Sequence, residues 1–207
     1  MNRSLAQVLS VVFHPLLLPT YLFAVILYYM PASLLTLPLR VRWVVLAMIF
    51  FTTFIIPGAA AAAMVRFGHL DSVEMHKRSQ RGLPLLFTGI CYATTTYLLY
   101  RESAYDAIFY FVMGIIAASV FLTFAVSQFW KISAHSIGMG GCLGLLLVLN
   151  SMAPDAMLIL PIAIAIFLTG AVLSARLALH AHTPAQVYAG FGSGLLLAIT
   201  AATVALY

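Results

Sequence analysis

The sequence predicts an all-α protein, a polytopic integral membrane bundle of about six to seven transmembrane helices. Of its residues 64% are hydrophobic and only 7% are charged, whereas about 25% are charged in an ordinary soluble domain. Apolar runs of about 20 residues, each long enough to cross a hydrocarbon core of about 30 Å, recur along the chain. We therefore expect residues 1–207 to form a single membrane-embedded domain that contacts the bilayer and binds no nucleic acid.

Charged residues and turn formers separate the predicted spans. These lie near residues 5–30, 43–65, 84–100, 107–128, 136–151, 155–174 and 184–206. The first run begins beside Arg3 and continues past the length of a signal peptide without a cleavage pattern, so we interpret it as part of the structure. Pro154 and Asp155 predict the break between the fifth and sixth spans.

The order of the spans predicts that one membrane face collects cations and imidazoles. Helical hairpins return the chain to the same face after every second span, so the segments after spans two, four and six share a face. Those segments contain Lys77, Arg78, Arg81, Lys131, Ser133, His135, Arg176, His180 and His182. The positive-inside rule explains the accumulation of Lys and Arg but not that of His. Two of the histidines, His135 and His182, precede or begin helices, and helix starts bind phosphate through unpaired N–H groups.

Such a set of residues fits the chemistry of a phosphate ester. Its hydrolysis needs cationic and N–H donors around the phosphoryl oxygens, a nucleophile in line with the leaving oxygen, and an acid that protonates that oxygen. Arginine supplies fork-shaped donors, and histidine can supply the other two roles. A phospho-histidine intermediate divides the reaction into two easier steps and needs no metal.

The spacing of these residues follows an ordered pattern. Ala175-Arg176 is followed after five residues by His182 and after three more by Gln186-Val187, with Gly190 and Gly194 at fixed distances beyond. Upstream of this stretch lie the segment Ile132-Ser133-Ala134-His135 and the basic segment from Lys77 to Pro84. In order and largely in spacing, the pattern resembles the motifs of the type 2 phosphatidic acid phosphatases, whose superfamily includes vanadium haloperoxidases and undecaprenyl diphosphate phosphatases.

The resemblance covers roughly residues 66–194, with motif segments near 71–84, 131–138 and 174–194. It implies an enzyme that removes phosphate from a membrane lipid, either a phosphomonoester or a diphosphate, without metal or other cofactor. It implies that His182 is the nucleophile and His135 the acid that protonates the leaving alcohol. The implied phosphate ligands are Arg176, Arg81, Lys77 and Ser133, with Arg78 as an alternative to Lys77 because the first motif is out of register.

Gln186 stands where the family has an aspartate that orients the nucleophilic histidine and stabilises its positive charge. A glutamine carbonyl can accept the ring N–H but brings no negative charge, so attack should be slower unless Asp71 or Glu74 intervenes. Residues 183–186 also read as a helix capping box, in which Gln186 closes the start of the seventh span. The two roles are compatible.

Several of these residues have simpler interpretations. Arg176 can extend from a helix end to the membrane interface, and His180 matches no family position and is interpreted as interfacial. His14 lies beside Pro15, where we expect a kink, and His69 is expected to be solvated. The glycines of the fifth and seventh spans are expected to permit close helix packing.

The main alternative function is a catalytically weak or inactive relative that binds or transports an anionic phospholipid, and the missing aspartate favours it. A purely structural membrane protein is a third possibility, against which the ordered motif pattern argues. We expect the inner membrane of a bacterium as the location. The positive-inside count puts the motif face in the cytoplasm, whereas members of the family commonly act on the outer face, so both orientations and the oligomeric state stay open.

Overall fold

The structure, a computed structural model, describes residues 1–30, 34–75, 77–152 and 157–206, and every regular element in these ranges is a helix. The α-helices are α1 (Arg3–Val12), α2 (Leu18–Tyr29), α3 (Leu39–Phe50), α4 (Ile56–Arg66), α5 (Gly82–Arg101), α6 (Ala107–Ser127), α7 (Ala134–Met152), α8 (Ile159–Ala178) and α9 (Pro184–Leu206). A π-helical turn at Phe51–Ile55 joins α3 to α4, and a 3₁₀ turn at Arg78–Gln80 leads into α5. The predicted helical membrane bundle is therefore confirmed.

Long apolar helices account for most of the predicted spans. Five are long and apolar enough to cross a membrane: Leu39–Arg66, Arg78–Arg101, Ala107–Ser127, Ala134–Met152 and Ile159–Ala178. They correspond to the second to sixth predicted spans. The 23 residues of α9 give it a length of about 34 Å, enough for the seventh. The predicted break at Pro154 and Asp155 lies outside the described residues.

The prediction of one continuous first span is wrong, because two short helices occupy it. α1 ends at Val12 and α2 begins at Leu18, with a turn between them that contains Pro15. Helices of 10 and 12 residues are about 15 and 18 Å long, too short for either to cross a bilayer. α1 packs against α8, and α2 packs against α3 and α7.

Glycines set the distance between α7 and α9, as the sequence predicts for its small residues. A Cβ atom added at Gly140 would overlap Phe191 O of α9, and one added at Gly194 would overlap Ile137 O of α7. At Gly190 an added Cβ would lie 2.9 Å from Ser133 O. The backbones of the two helices are therefore in direct contact, and the segments before them are held side by side.

Hydrogen bonds between loops define two ends of the bundle. At one end Asp106 accepts from Thr36 N at 2.9 Å, from Thr36 Oγ1 at 2.7 Å and from Leu37 N at 3.3 Å. At the other end Ser133 N, just before α7, donates to Gln186 O in the first turn of α9 at 3.4 Å. These contacts join the loop before α3 to the loop before α6, and the segment before α7 to the start of α9. That the two groups of loops lie on opposite membrane faces stays a prediction.

Candidate functional site

Histidines and cations from distant parts of the chain meet at the end of the bundle where α7 and α9 begin. Arg81, Lys131 and Arg176 all lie within electrostatic range of His182. His135, at the start of α7, is within range of Arg176 and His182. The three motif segments predicted from the sequence therefore meet at one place, although the roles of their residues stay predictions.

The side-chain amide of Gln186 holds both the start of α9 and the ring of His182. Its Oε1 accepts from Thr183 N at 3.2 Å, and Gln186 N donates to Thr183 Oγ1 at 3.4 Å, which is the predicted capping box. The same Oε1 lies 3.1 Å from His182 Nδ1. Because a carbonyl oxygen can only accept, Nδ1 carries the proton and Nε2 keeps its lone pair.

His182 is a neutral imidazole in a positive environment. Its side chain is 9% exposed, and this burial is the main reason why its pKa is lowered to about 4. The charges of Arg81, Arg176 and Lys131 lower the pKa further, whereas the hydrogen bond to Gln186 opposes the change. At pH 7 the ring is therefore uncharged, and its Nε2 is free of a proton.

His135 takes its orientation from the N-terminal segment, which lies outside the three motif segments. Its Nε2 lies 3.0 Å from Ser10 O of α1. Since that carbonyl can only accept, Nε2 carries a proton and Nδ1 is the nitrogen left for other partners. The ring also packs edge-to-face on His14, with centroids 5.7 Å apart and an interplanar angle of 82°. The pair His14-Pro15, which predicted a kink, was the only sequence signal for this contact.

Ser133 is a fully buried helix cap. Its Oγ accepts from Ser136 N at 3.3 Å and from Ser136 Oγ at 2.9 Å, so it occupies the N-cap position of α7. Together with the bond from Ser133 N to Gln186 O, this cap fixes the starts of α7 and α9 side by side. The positive ends of two helix dipoles therefore open toward the same region.

Two arginines supply buried N–H groups to the site, Arg81 as a buried side chain and Arg176 through its Nε. Arg81, which is 9% exposed, donates from Nε to Met75 O at 3.2 Å and from Nη1 to Ile132 O at 2.9 Å. Arg176 Nε is buried and has no hydrogen-bond partner in the described part of the chain, while Glu74 lies within electrostatic range of the guanidinium. A buried donor without an acceptor is unfavourable by about 1–3 kcal/mol, so this position is suited to an anionic oxygen.

The first-motif residues Lys77 and Arg78 make contacts in the loop instead. Lys77 Nζ lies 2.7 Å from Asp71 Oδ2, and each side chain is more than half exposed. This ion pair lowers the pKa of Asp71 and raises that of Lys77. Arg78 donates to Ser127 O at 3.3 Å, near the end of α6. The role of both as phosphate ligands stays a prediction, whereas Lys131, which the motif comparison did not select, acts on His182.

An open cleft of about 580 Å³ lies beside His182. Its lining includes Lys131, His180, His182, Thr183, Pro184 and Gln186. His180 is exposed and has a left-handed backbone with φ +50°, while its position at the membrane interface stays a prediction. Ala181 N donates to Arg176 O at 3.2 Å and His180 N to Leu177 O at 2.9 Å, the pattern of a Schellman cap that turns the chain from α8 into the loop.

Comparisons with known proteins add no relative from which a role could be transferred. No family model matches the chain, and searches of the curated proteins and of the solved structures found no match.

Proposed function

We propose that this protein is a lipid phosphate phosphatase that hydrolyses a phosphomonoester or a diphosphate of a membrane lipid through a phospho-histidine at residue 182. The observation that carries the proposal is the 3.1 Å contact between His182 Nδ1 and Gln186 Oε1, which leaves Nε2 unprotonated. Arg81, Arg176 and Lys131 surround this ring with positive charge. A neutral imidazole among cations is suited to attack on an anionic phosphoryl group. The resemblance of the motifs to type 2 phosphatidic acid phosphatases supports the same chemistry.

The proposed reaction has two steps. In the first, His182 Nε2 attacks phosphorus and the bond from phosphorus to the leaving oxygen breaks. His135 enters this step as an imidazolium protonated on both ring nitrogens and gives its Nδ1 proton to that oxygen. In the second, Nδ1 of the now neutral His135 takes a proton from a water molecule that attacks phosphorus, and the bond from phosphorus to His182 Nε2 breaks. Inorganic phosphate leaves, with His182 again neutral and His135 again an imidazolium. Because His135 Nε2 donates to Ser10 O, Nδ1 is the nitrogen that exchanges this proton.

A membrane lipid is the proposed substrate because of where the cleft lies. It adjoins the loop between α8 and α9, at the end of two apolar helices. A phosphorylated headgroup could enter there while its hydrocarbon tail stays between lipids. The proposed location is the inner membrane of a bacterium, since bacterial outer-membrane proteins are typically β-barrels rather than helical bundles.

Phosphate release by the purified protein in detergent tests this function. Phosphatidic acid and a prenyl diphosphate should both be tried, with wild type, His182→Ala and the control His69→Ala, which changes an exposed histidine beyond the end of α4. We expect the wild type and His69→Ala to release phosphate and His182→Ala to release none. Acid-labile phosphate should also be trapped on the wild type during turnover and be absent from His182→Ala.

The missing carboxylate at residue 186 supports a second candidate, a protein that binds or transports an anionic phospholipid. In this case neither wild type nor His182→Ala would release phosphate, while both would bind the lipid. Binding of labelled phosphatidic acid measured in the same samples separates the two functions.

A further inference from the structure

We infer that the N-terminal segment forms part of the catalytic site, and that His14 is a positioning residue that acts through His135. The inference rests on the proposed function, since it assigns a task to a residue outside the three motif segments. It follows from how α1 ends, from what surrounds the His135 ring, and from the polar groups that α1 places there.

The end of α1 releases one carbonyl group for His135. In a continuing helix the N–H of residue 14 would bond to Ser10 O, but His14 N donates instead to Val11 O at 3.2 Å. Pro15, the next residue, has no N–H to offer. Ser10 O is therefore available as an acceptor, and His135 Nε2 lies 3.0 Å from it.

The ring of His14 is itself held in place. Its Nδ1 accepts from Leu16 N at 3.3 Å, which puts the ring proton on Nε2. Its carbonyl accepts from Leu17 N at 2.8 Å, which closes the turn between α1 and α2. The ring therefore presents a fixed surface to His135, with which it makes the 82° edge-to-face contact.

These contacts leave His135 a single orientation for proton transfer. With Nε2 bonded to Ser10 and one side of the ring against His14, rotation of the imidazole would lose both contacts. Nδ1 thereby stays available to the leaving oxygen. The hydroxyl of Ser10 is buried too, at 8% exposure, and has no hydrogen-bond partner in the described residues, so α1 brings further polar groups to this region.

The dependence of kcat on the leaving group shows whether His14 positions His135 or only supports the fold. An alkyl phosphate needs a proton on its leaving oxygen, whereas a nitrophenyl phosphate with the same alkyl chain has a good leaving group and needs almost none. We expect His14→Ala to lower kcat on the alkyl phosphate by up to about 100-fold, with little change in KM, and to lower kcat on the nitrophenyl ester less than about threefold. His14→Phe, which keeps an aromatic ring against His135, should restore much of the loss. His69→Ala serves as the matched control.

The ratio of the two rates does not depend on the fraction of folded enzyme, so partial misfolding of His14→Ala cannot mimic the result. In a His135→Ala background, His14→Ala should cause no further loss on the alkyl phosphate. Equal losses on both esters, or additive losses in the double variant, would overturn the inference while leaving the proposed function intact. Absence of phosphate release from either ester by the wild type would instead reject the proposed function.

Discussion

At the scale of single residues, one amide oxygen couples the start of a helix to the state of the candidate nucleophile. Gln186 Oε1 accepts from both Thr183 N and His182 Nδ1. The backbone N–H can only donate, so it fixes which end of the amide faces the loop and thereby which ring nitrogen of His182 carries the proton. Gln186 Oε1 therefore both caps the start of α9 and selects the His182 tautomer whose Nε2 carries no proton.

The low pKa of His182 predicts the pH dependence of phosphate release. Only the neutral ring can attack, and its pKa is about 4. On a nitrophenyl phosphate ester, whose leaving group needs almost no proton from His135, activity should therefore be flat as the pH falls from 7 toward 5 and should decline as it passes through about 4. Initial rates between pH 3.5 and 8, with circular dichroism to confirm that the protein stays folded, measure this limb. A decline centred at pH 6 or above would contradict the prediction.

The same difference in pKa affects stability. A histidine in the unfolded chain has a pKa of about 6.5, so between this value and about 4 the unfolded state binds a proton that the folded state does not. The stability that the neutral His182 contributes is therefore fully present above the unfolded pKa and is lost as the pH falls toward 4.

Gln186→Glu should convert the neutral acceptor into a charged one. Glutamate has the same shape and can keep the capping box, but its negative charge lies where Oε1 now accepts from His182. We expect the acid limb of the pH profile to move up by about 1–3 pH units and turnover at pH 8 to rise, because the carboxylate stabilises the charged ring. Gln186→Ala, the control, should lower both turnover and stability, the latter by about 1 kcal/mol. An unchanged pH profile in Gln186→Glu would show that residue 186 does not act on the nucleophile.

At the scale of helices, the length of apolar runs predicted the spans well, because a membrane-crossing helix must satisfy its own backbone hydrogen bonds over a fixed thickness. For the first apolar run, the same reasoning predicted one span where the structure has two helices. Its apolar character continues across residues 5–30, and hydropathy does not report that two short helices can share one run. The local signal for the break was Pro15. The contact between Ser10 O and His135 depends on packing between residues 125 positions apart, and no local sequence pattern encodes such packing.

Close packing of α7 on α9 predicts a sharp difference between two neighbouring glycines. An added Cβ at Gly194 would overlap Ile137 O, whereas an added Cβ at Gly192 has nothing within 4 Å. Gly194→Ala should destabilise the protein by about 1–3 kcal/mol and abolish most activity by separating the starts of the two helices. Gly192→Ala should behave like wild type. Thermal unfolding in detergent and phosphate release measure both effects, and equal behaviour of the two variants would exclude this packing.

The ends of α4 and α8 provide a second matched pair. Each has a Schellman cap with a left-handed residue, Gly68 with φ +76° after α4 and His180 with φ +50° after α8. His180→Gly should stabilise the protein by about 1 kcal/mol, because glycine adopts this conformation without the clash that a Cβ introduces. Gly68→Ala should destabilise it by a similar amount, although no atom lies near the added Cβ. A lower melting temperature for His180→Gly would show that the imidazole makes a stabilising contact at the rim of the cleft.

At the scale of the whole molecule, alternate loops gather at opposite ends of the bundle, and this arrangement follows from the order of the spans alone. Charge patterning therefore predicted that distant segments would meet, since charged residues are excluded from the membrane centre and must collect at its faces. It did not predict which cations would approach His182. Lys131 does so, while Lys77 is paired with Asp71 in the outer loop. The difference depends on how the loop before α5 folds, and loops have no periodic pattern in their sequence.

Labelling of introduced cysteines tests this two-ended arrangement. Cys91 and Cys142 would first be replaced by Ala, and single cysteines introduced at exposed positions by Ser79→Cys and Phe129→Cys at the site end and by Ser103→Cys at the other. With an impermeant thiol reagent on intact cells, Ser79→Cys and Phe129→Cys should react alike, and Ser103→Cys should show the opposite behaviour. Whichever pattern is found also fixes the side of the membrane from which the cleft takes its substrate. If Ser79→Cys and Ser103→Cys reacted from the same side, α5 would have to enter and leave the membrane on one face. The cations of the site and the loop at Asp106 would then lie on the same side of the bilayer, which would contradict the two-ended arrangement.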